Sequence, residues 1–288
     1  MITSITNSRI KRVIKLQKQA KVRTDERAFV IEGIKLFLEA PQHLIKEVYI
    51  TQNFHEKFVE ENSGIREKLM SSAYEIVSDI VFERMAETKT PQGIVCVLGQ
   101  MEWGCESGIP FKEIRVNSAM PGSHPLDGYD SRCLYLILEN LNDPGNLGTI
   151  FRTAEAAGIN AIILNNGCAD IYNPKTIRAT MGSIFRVPFN YVADLIPVIM
   201  DLKKKSINIY AACPESAEAY DQCDYRKGTA FLIGSEAHGL QIETQALATQ
   251  NLTIPMAGAV ESLNAATAAA VLLFEAARQR RGSERKII

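Results

Sequence analysis

The sequence predicts an α/β protein of two domains, the second of which is built on a parallel sheet. Short apolar runs that indicate strands alternate with helical patterns over residues 1–98, and a second series begins at Cys133. Between the two series, residues 99–131 are rich in glycine and proline and show little periodicity, which is typical of a linker or a long surface excursion. We therefore expect domains over residues 1–98 and 132–288, joined by residues 99–131.

Composition excludes several classes of protein. With 46% hydrophobic and 23% charged residues, the 288-residue chain has the profile of a soluble globular protein. No apolar run approaches the ~18 residues of a membrane span, and a net charge of −1 excludes a histone-like binder of nucleic acid, though not a local basic patch. The six cysteines form no C-x-x-C pair and the four histidines are scattered, so we expect no metal. Unpaired cysteines and the lack of a signal peptide predict a cytoplasmic protein.

The first element is a basic amphipathic helix. Seven basic residues and no acidic residue lie between Arg9 and Arg23, and apolar residues recur at i, i+3 and i+4 from Ile10. Residues 28–98 carry a net charge of −4, so the basic excess is confined to this segment. The helix is either an ordinary solvated surface or a face that contacts RNA phosphates. The candidate RNA-binding residues are Arg9, Lys11, Arg12, Lys15 and Lys18.

The rest of the first domain alternates strands and helices. The predicted strands are FVIEG, KEVYIT, YEIVS and GIVCVL. A helix is expected from Ile34 to Ala40, because Pro41 stops it, and another over DIVFERMAET. This alternation gives an α/β unit of about 98 residues.

The second domain begins with CLYLIL, a continuous apolar run that is typical of a strand buried on both faces. The helix that follows is expected from Gly148 to Ala157, with Gly158 as its stop. Further strands are predicted at AIIL, FRVPF, NIYAA, TAFLIG and NLTIPM, with helices over 173–181 and LIPVIMDLKKK. The last helix, from Ala265 to Arg281, is apolar nearly all round, so it is buried or lies in a subunit interface.

The loop after CLYLIL is the first of three candidate ligand loops, since ligands of parallel sheets bind beyond the carboxyl ends of strands. Pro144 and Gly145 form a turn, and Asn146 can cap the next helix. Gly148 allows close backbone approach, and Arg152 lies one helical turn further, which suits an anionic ligand. The alternative is a plain turn and helix cap.

The other two loops follow TAFL and NLTIPM. In LIGSEAHGL, Gly234 and Gly239 bracket Glu236, and His238 is either a general base or, more simply, a solvated loop histidine. In the third loop, Ser262 or Asn264 caps the last helix or faces a pocket. The chain contains neither G-x-G-x-x-G nor a Walker A motif, which disfavours a nucleotide-dependent dehydrogenase.

Together the three loops resemble the motifs of the SpoU/TrmH-type RNA 2′-O-ribose methyltransferases of the SPOUT superfamily. The matching residues are Asn146-Leu-Gly148…Arg152, Gly234-x-Glu236-x-x-Gly239-Leu240 and Ile254-Pro255-Met256…Ser262-Leu263-Asn264. ITSITNSRIKRVIKL, FVIEGIKLFLEA and TKTPQGIVCVL resemble the family's small substrate-binding domain. Because this second match starts at residue 2, we expect no cleaved presequence. The chain departs from the family in Asn264-Ala-Ala-Thr-Ala, where Asn-Val-Ser-x-Ala is usual, and in a longer linker.

The resemblance implies a deep trefoil knot, a homodimer, S-adenosylmethionine as cofactor and a ribose 2′-hydroxyl of RNA as substrate. It places the cofactor among Gly234, Ile254, Met256 and Leu263, and the reaction among Asn146, Arg152, Glu236, Ser262 and Asn264. The family assigns the counterpart of Arg152 a role in activating the hydroxyl. Because a guanidinium is a poor base, we expect Arg152 to hold a phosphate and stabilise developing alkoxide charge, while a nearby carboxylate or water accepts the proton.

The ribosomal-protein-like first domain favours ribosomal RNA over transfer RNA as the substrate. Two alternatives stay open, a transfer RNA 2′-O-methyltransferase and a non-catalytic RNA-binding factor of ribosome assembly that kept the fold. The presence of Asn146, Arg152, Glu236, Ser262 and Asn264 together argues against the non-catalytic alternative.

Overall fold

The computed structural model describes residues 1–59, 63–103 and 132–284. Most of the predicted linker, residues 104–131, lies outside the described residues. The chain forms two compact units. Unit 1 comprises Met1–Met101 and Asp170–Phe185, and unit 2 comprises Glu102–Ala169 and Arg186–Ile288.

Unit 1 contains a four-stranded sheet of order β1-β4-β2-β3. Strand β4 runs antiparallel to β1 and β2, and β3 runs parallel to β2. The elements of Met1–Met101 are α1 (Ser8–Lys18), α2 (Ala20–Glu26), β1 (Ala28–Glu32), α3 (Ile34–Glu39), β2 (Ile45–Thr51), α4 (Gln52–Phe54), α5 (Ser63–Met70), β3 (Tyr74–Val77), α6 (Asp79–Met85) and β4 (Ile94–Gly99).

The basic segment at the start of the chain forms two helices. Helix α1 begins after Asn7, whose Oδ1 accepts a hydrogen bond from the Arg9 N–H at 2.9 Å. It ends where Gln19 turns to an extended conformation. Ile10 and Val13, two of the apolar residues at helical spacing, are completely buried, as is Leu16. These residues pack α1 onto the core beside β1 and β4, and Ile14 is partly buried against the same core.

Asp170–Phe185 belongs to unit 1 through polar and aromatic contacts. Arg23, only 3% exposed, donates to Asp170 Oδ2 at 2.8 Å and to the carbonyls of Leu16 and Gln17. The ring of Tyr172 lies 4.7 Å from that of Phe29. Arg23 is therefore a structural cation that satisfies the last carbonyls of α1. This segment also contains helix α8, which spans Pro174–Thr180.

Unit 2 contains a six-stranded sheet of order β10-β8-β9-β5-β6-β7, in which every pairing is parallel. The central strands are buried throughout, as continuous apolar runs predict. Its elements are β5 (Leu134–Leu138), α7 (Pro144–Ala157), β6 (Ala161–Asn165), β7 (Phe189–Val192), α9 (Ile196–Lys204), β8 (Asn208–Ala212), β9 (Thr229–Ile233), α10 (Ile242–Ala246), β10 (Gln250–Leu252) and α11 (Ala265–Glu284). The predicted α/β class with a parallel sheet is confirmed; the trefoil knot stays a prediction.

Three local expectations are wrong. The strand predicted at NLTIPM comprises only Gln250–Leu252, and residues 254–256 lie in the loop that follows it. Helix α7 begins at Pro144, and its cap is Asp143, whose Oδ1 accepts from the Asn146 N–H at 2.7 Å. The side chain of Asn146 is therefore not the cap. The strand predicted at FRVPF instead starts at Phe189, because a 3-10 turn occupies Ser183–Phe185 and Pro188 has no N–H for a sheet hydrogen bond.

Helix α11 packs along α7 and buries one apolar stripe. Its buried residues are Ala265, Ala266, Ala269, Leu272, Leu273 and Ala276. Phe274 is 44% exposed, so apolar surface remains on the opposite side. No helix in the described ranges combines the length and hydropathy that crossing a membrane requires.

Candidate active site

The three candidate loops follow strands β5, β9 and β10. Loop 1 is residues 139–143, loop 2 is residues 234–241, and loop 3 is residues 253–264. Strands β5 and β9 are neighbours and parallel, with Leu138 opposite Ile233. Loops 1 and 2 therefore start side by side at the carboxyl ends of these strands. Loop 3 starts at the edge strand and ends at α11, which packs on α7.

A chain of hydrogen bonds links the three sequence motifs. Asn264 Nδ2 donates to Asn146 Oδ1 at 3.1 Å, and Asn146 Nδ2 donates to Glu236 Oε1. Asn264 Oδ1 in turn accepts from the N–H groups of Ala266 and Thr267 at 3.0 and 3.3 Å, and so caps α11. The structure thus brings Asn146 together with Glu236 and Asn264, which follow it in sequence by 90 and 118 residues. We call these three residues the asparagine chain.

Loop 2 folds back on itself so tightly that Gly234 cannot carry a side chain. A Cβ at Gly234 would lie 2.1 Å from the carbonyl carbon of Gly239 and 2.3 Å from the nitrogen of Leu240. Ser235 and Gly239 exchange backbone hydrogen bonds of 3.1 and 2.9 Å, and Gly239 has φ +66°. Both glycines are therefore required by the loop itself.

Glu139 holds the other end of loop 2, and sequence reasoning did not find it. This carboxylate is 2% exposed and accepts from the Gln241 N–H at 2.8 Å and from Thr244 Oγ1 at 2.6 Å. A buried carboxylate needs such partners. The sequence signal that could have identified Glu139 is its position directly after the apolar run of β5. A charged residue there is unfavourable unless it has hydrogen-bond partners.

The end of β6 and the residues that follow it also hold loop 1. Asn140, at φ +54°, and Asn165 exchange two hydrogen bonds of 2.9 Å. The Cys168 thiol lies 3.4 Å from both the Leu138 carbonyl and the Leu141 nitrogen. Burial raises the pKa of this thiol to about 11, so it stays protonated near neutral pH and is not a nucleophile.

Arg152 lies on the exposed side of α7. Asn146, Thr149 and Arg152 follow one another at i, i+3 and i+6, whereas Leu147, Ile150 and Phe151 are buried. Within the described part of the chain, Arg152 forms neither a hydrogen bond nor an ion pair. Its guanidinium is therefore available to an external anion.

Loop 3 leaves its backbone polar groups open. Within the described residues, positions 254–263 form no hydrogen bond. Ile254, Met256 and Leu263 are half-buried, and Ser262 is exposed. Open N–H and C=O groups beside half-buried apolar side chains suit a ligand that combines a heterocycle with polar edges.

The basic residues of α1 fall into two groups. Arg9 is ion-paired with Glu75 at 2.9 Å, and Arg12 with Glu26 at 2.6 Å, while Glu47 contacts both arginines. Lys11, Lys15 and Lys18 are exposed, and in the described residues no carboxylate pairs with them. The lysines thus present the uncompensated charge of this helix.

In the described ranges, no three His, Cys, Asp or Glu side chains come together where they could hold a metal ion.

Two protein-family models match this chain. Residues 133–274 match the SpoU rRNA Methylase family, and residues 7–96 match the MRM3-like substrate binding domain. An uncharacterized tRNA/rRNA methyltransferase from Synechocystis is 31% identical over 96% of this chain and 93% of its own length. The 23S rRNA (guanosine(2553)-2′-O)-methyltransferase RlmP of Bacillus subtilis is 30% identical over 95% of this chain and 97% of its own length.

The fold agrees with a solved relative along nearly the whole chain. The crystal structure of an AdoMet-bound rRNA methyltransferase from Sinorhizobium meliloti is 29% identical, with a TM-score of 0.77 over 96% of this chain and 97% of that chain. The predicted resemblance is confirmed by relatives that match both units. The chain is a member of the SpoU rRNA methylase family, with an MRM3-like substrate-binding domain at its N-terminal side.

Proposed function

We propose that the protein transfers a methyl group from S-adenosylmethionine to a ribose 2′-hydroxyl of ribosomal RNA. The observation that carries this proposal is the asparagine chain, which joins the three family motifs at one sheet edge. Full-length similarity to the 23S rRNA 2′-O-methyltransferase RlmP supports the reaction and the class of RNA.

The residues of loops 2 and 3 suit the cofactor. The open backbone groups of 254–263 can meet the edges of an adenine ring, and Ile254, Met256 and Leu263 offer apolar contact. Gly234 allows the tight turn of loop 2, which would lie against the rest of the cofactor. When bound, S-adenosylmethionine supplies a methyl group activated by its sulfonium.

The protein's own residues orient the acceptor and stabilise charge. The Arg152 guanidinium, which has no partner in the described residues, can hold an RNA phosphate through its planar fork and stabilise negative charge that develops on the 2′-oxygen. Asn146, which Asn264 orients, holds the carboxylate of Glu236, and exposed Ser262 can hydrogen-bond the ribose. Holding donor and acceptor in line accounts for a large share of such catalysis.

Incubating the protein with methyl-labelled S-adenosylmethionine and either ribosomal or transfer RNA tests the proposal. We expect label in ribosomal RNA, at a position resistant to alkaline cleavage because the 2′-oxygen is blocked. Isothermal titration should show S-adenosylmethionine binding. Label in transfer RNA alone would make the protein a transfer RNA methyltransferase, and RNA binding without cofactor binding would favour an assembly factor.

The lysine face of α1 is expected to contact RNA phosphates. Changing Lys11, Lys15 and Lys18 together to Gln should weaken RNA binding and flatten its salt dependence, because each phosphate contact releases a counterion and contributes about 0.7–0.9 to the slope. Cofactor affinity should not change. Arg9 and Arg12, paired with carboxylates, are left intact so that the helix stays packed. Unchanged RNA binding at every salt concentration would make this face a solubilising surface only.

Helix α11 is expected to mediate a homodimer. Phe274 is 44% exposed and Val271 is half-buried, one turn apart on the side away from the core. Sedimentation at micromolar concentration should give a dimer, and Phe274→Glu should shift it to monomer. A monomer in the parent protein would contradict the expectation.

A further inference from the structure

The carboxylate of Glu236 has one oxygen held and one oxygen open. Oε1 accepts a hydrogen bond from Asn146 Nδ2, and the side chain is exposed. Within the described residues, no cation pairs with Glu236 and no donor reaches its second oxygen. From this arrangement we infer that Glu236 is the catalytic residue that accepts the proton of the ribose 2′-hydroxyl, an inference that rests on the proposed function.

The cap of α11 determines how the side-chain amides of Asn264 and Asn146 are oriented. The cap of α11 occupies Asn264 Oδ1, so the amide NH₂ of Asn264 must face outward, where it meets Asn146 Oδ1. The NH₂ of Asn146 then faces Glu236. An acceptor is required at that position, and a carboxylate supplies it while keeping its other oxygen for the substrate.

The loop that carries Glu236 is fixed at both ends. Gly234 and Gly239 close its start through backbone contact, and buried Glu139 holds the Gln241 N–H at its exit. A base held in this way does not have to be ordered when the substrate binds, which lowers the entropic part of the barrier. The backbone geometry of loop 2 therefore favours a positioned reactive group over a mobile surface carboxylate.

The other candidate groups are less suited to accept this proton. A guanidinium has no free lone pair at neutral pH, so Arg152 cannot serve as the base. The Cys168 thiol is protonated, since burial raises its pKa to about 11. His238 lies in loop 2 and is exposed. Its backbone N–H donates to Ser235 Oγ at 3.2 Å, but no hydrogen bond in the described residues orients its ring.

When Glu236 accepts the hydroxyl proton, methyl transfer needs only the cofactor and the RNA. The 2′-oxygen forms a bond to the methyl carbon as the methyl–sulfur bond breaks, and the sulfur keeps that electron pair and becomes neutral. The hydroxyl proton passes to the open oxygen of the Glu236 carboxylate. Because Glu236 is exposed, the resulting carboxylic acid returns the proton to water, and no other reactant is needed.

Glu236→Gln tests this assignment, because glutamine keeps the shape and the oxygen that accepts from Asn146 but cannot take a proton. We expect the single-turnover rate of methyl transfer to fall by about 10²–10⁴-fold, the usual contribution of a general base. The affinities for S-adenosylmethionine and RNA, measured by titration, should stay within threefold. The matched control is Glu243→Gln, an exposed carboxylate on α10, which should react like the parent.

Chemical rescue separates a proton acceptor from a structural residue. Glu236→Ala should regain rate on addition of formate, a small carboxylate that can occupy the vacated site, whereas Arg152→Ala should not respond to formate. A rate within threefold of the parent in Glu236→Gln, loss of cofactor or RNA binding in that variant, or no formate rescue would each overturn the assignment. Failure of the parent protein to methylate any RNA would instead count against the proposed function.

Discussion

Replacing Arg152 by alanine is expected to reduce methyl transfer by about 10²–10³-fold or more, the usual effect of removing one group that stabilises developing oxyanion charge. Cofactor affinity should stay within a few-fold. Thermal stability should not change, because in the described residues Arg152 is exposed and without a partner. The rate and affinity of the variant, measured by single-turnover assay and titration, check both parts of this expectation.

Two further variants sharpen the interpretation of Arg152. Arg152→Lys keeps the charge but loses the planar fork, so it should recover only part of the rate if the group binds a phosphate through two hydrogen bonds. Arg226→Ala removes another exposed arginine of unit 2, one that pairs with Asp224 at 2.8 Å, and should behave like the parent. Full activity in Arg152→Ala would remove this residue from the mechanism.

Gly234→Val is expected to abolish S-adenosylmethionine binding and to lower the melting temperature. Even the first side-chain carbon would lie 2.1 Å from backbone of Gly239, and backbone cannot move aside as a flexible side chain can. Overpacking of this kind costs about 1–3 kcal/mol or more. Titration with the cofactor and a thermal melt measure the two effects.

Gly258→Ala is the comparison for stability, because a Cβ at Gly258 meets nothing within 4 Å. Its melting temperature should equal that of the parent. A folded Gly234→Val protein with normal cofactor affinity would show that loop 2 does not hold the cofactor. It would also show that the tight turn between Gly234 and Gly239 can open without consequence.

The alternation of strands and helices was predictable because each buried strand is a continuous or alternating apolar run. The ends of helices and strands were less predictable where more than one nearby residue could cap the same helix. Asp143 and Asn146 are both good helix caps, and Pro144 at the first helical position decides in favour of Asp143. This choice leaves the amide of Asn146 free for the asparagine chain, and sequence spacing alone could not determine that.

The sequence did not predict residues whose hydrogen-bond or ion-pair partners are far away along the chain. Glu139 contacts Gln241 and Thr244, which follow it by more than 100 residues, so no local pattern marks it. The ion pairs of the basic N-terminal segment could not be predicted from local sequence either. Arg9 and Arg12 belong to a basic stretch, yet folding brings a carboxylate to each of them. In the described residues the lysines of α1 have no such partner.

The membership of Asp170–Phe185 in unit 1 has a consequence for the order in which the chain folds during synthesis. A nascent chain that ends at residue 101 lacks Asp170 and Tyr172, so the Arg23–Asp170 ion pair and the ring contact of Phe29 with Tyr172 cannot form. The N-terminal unit is thus a discontinuous domain that completes its folding only after residue 185 has left the ribosome, by which time two strands of the second sheet already exist.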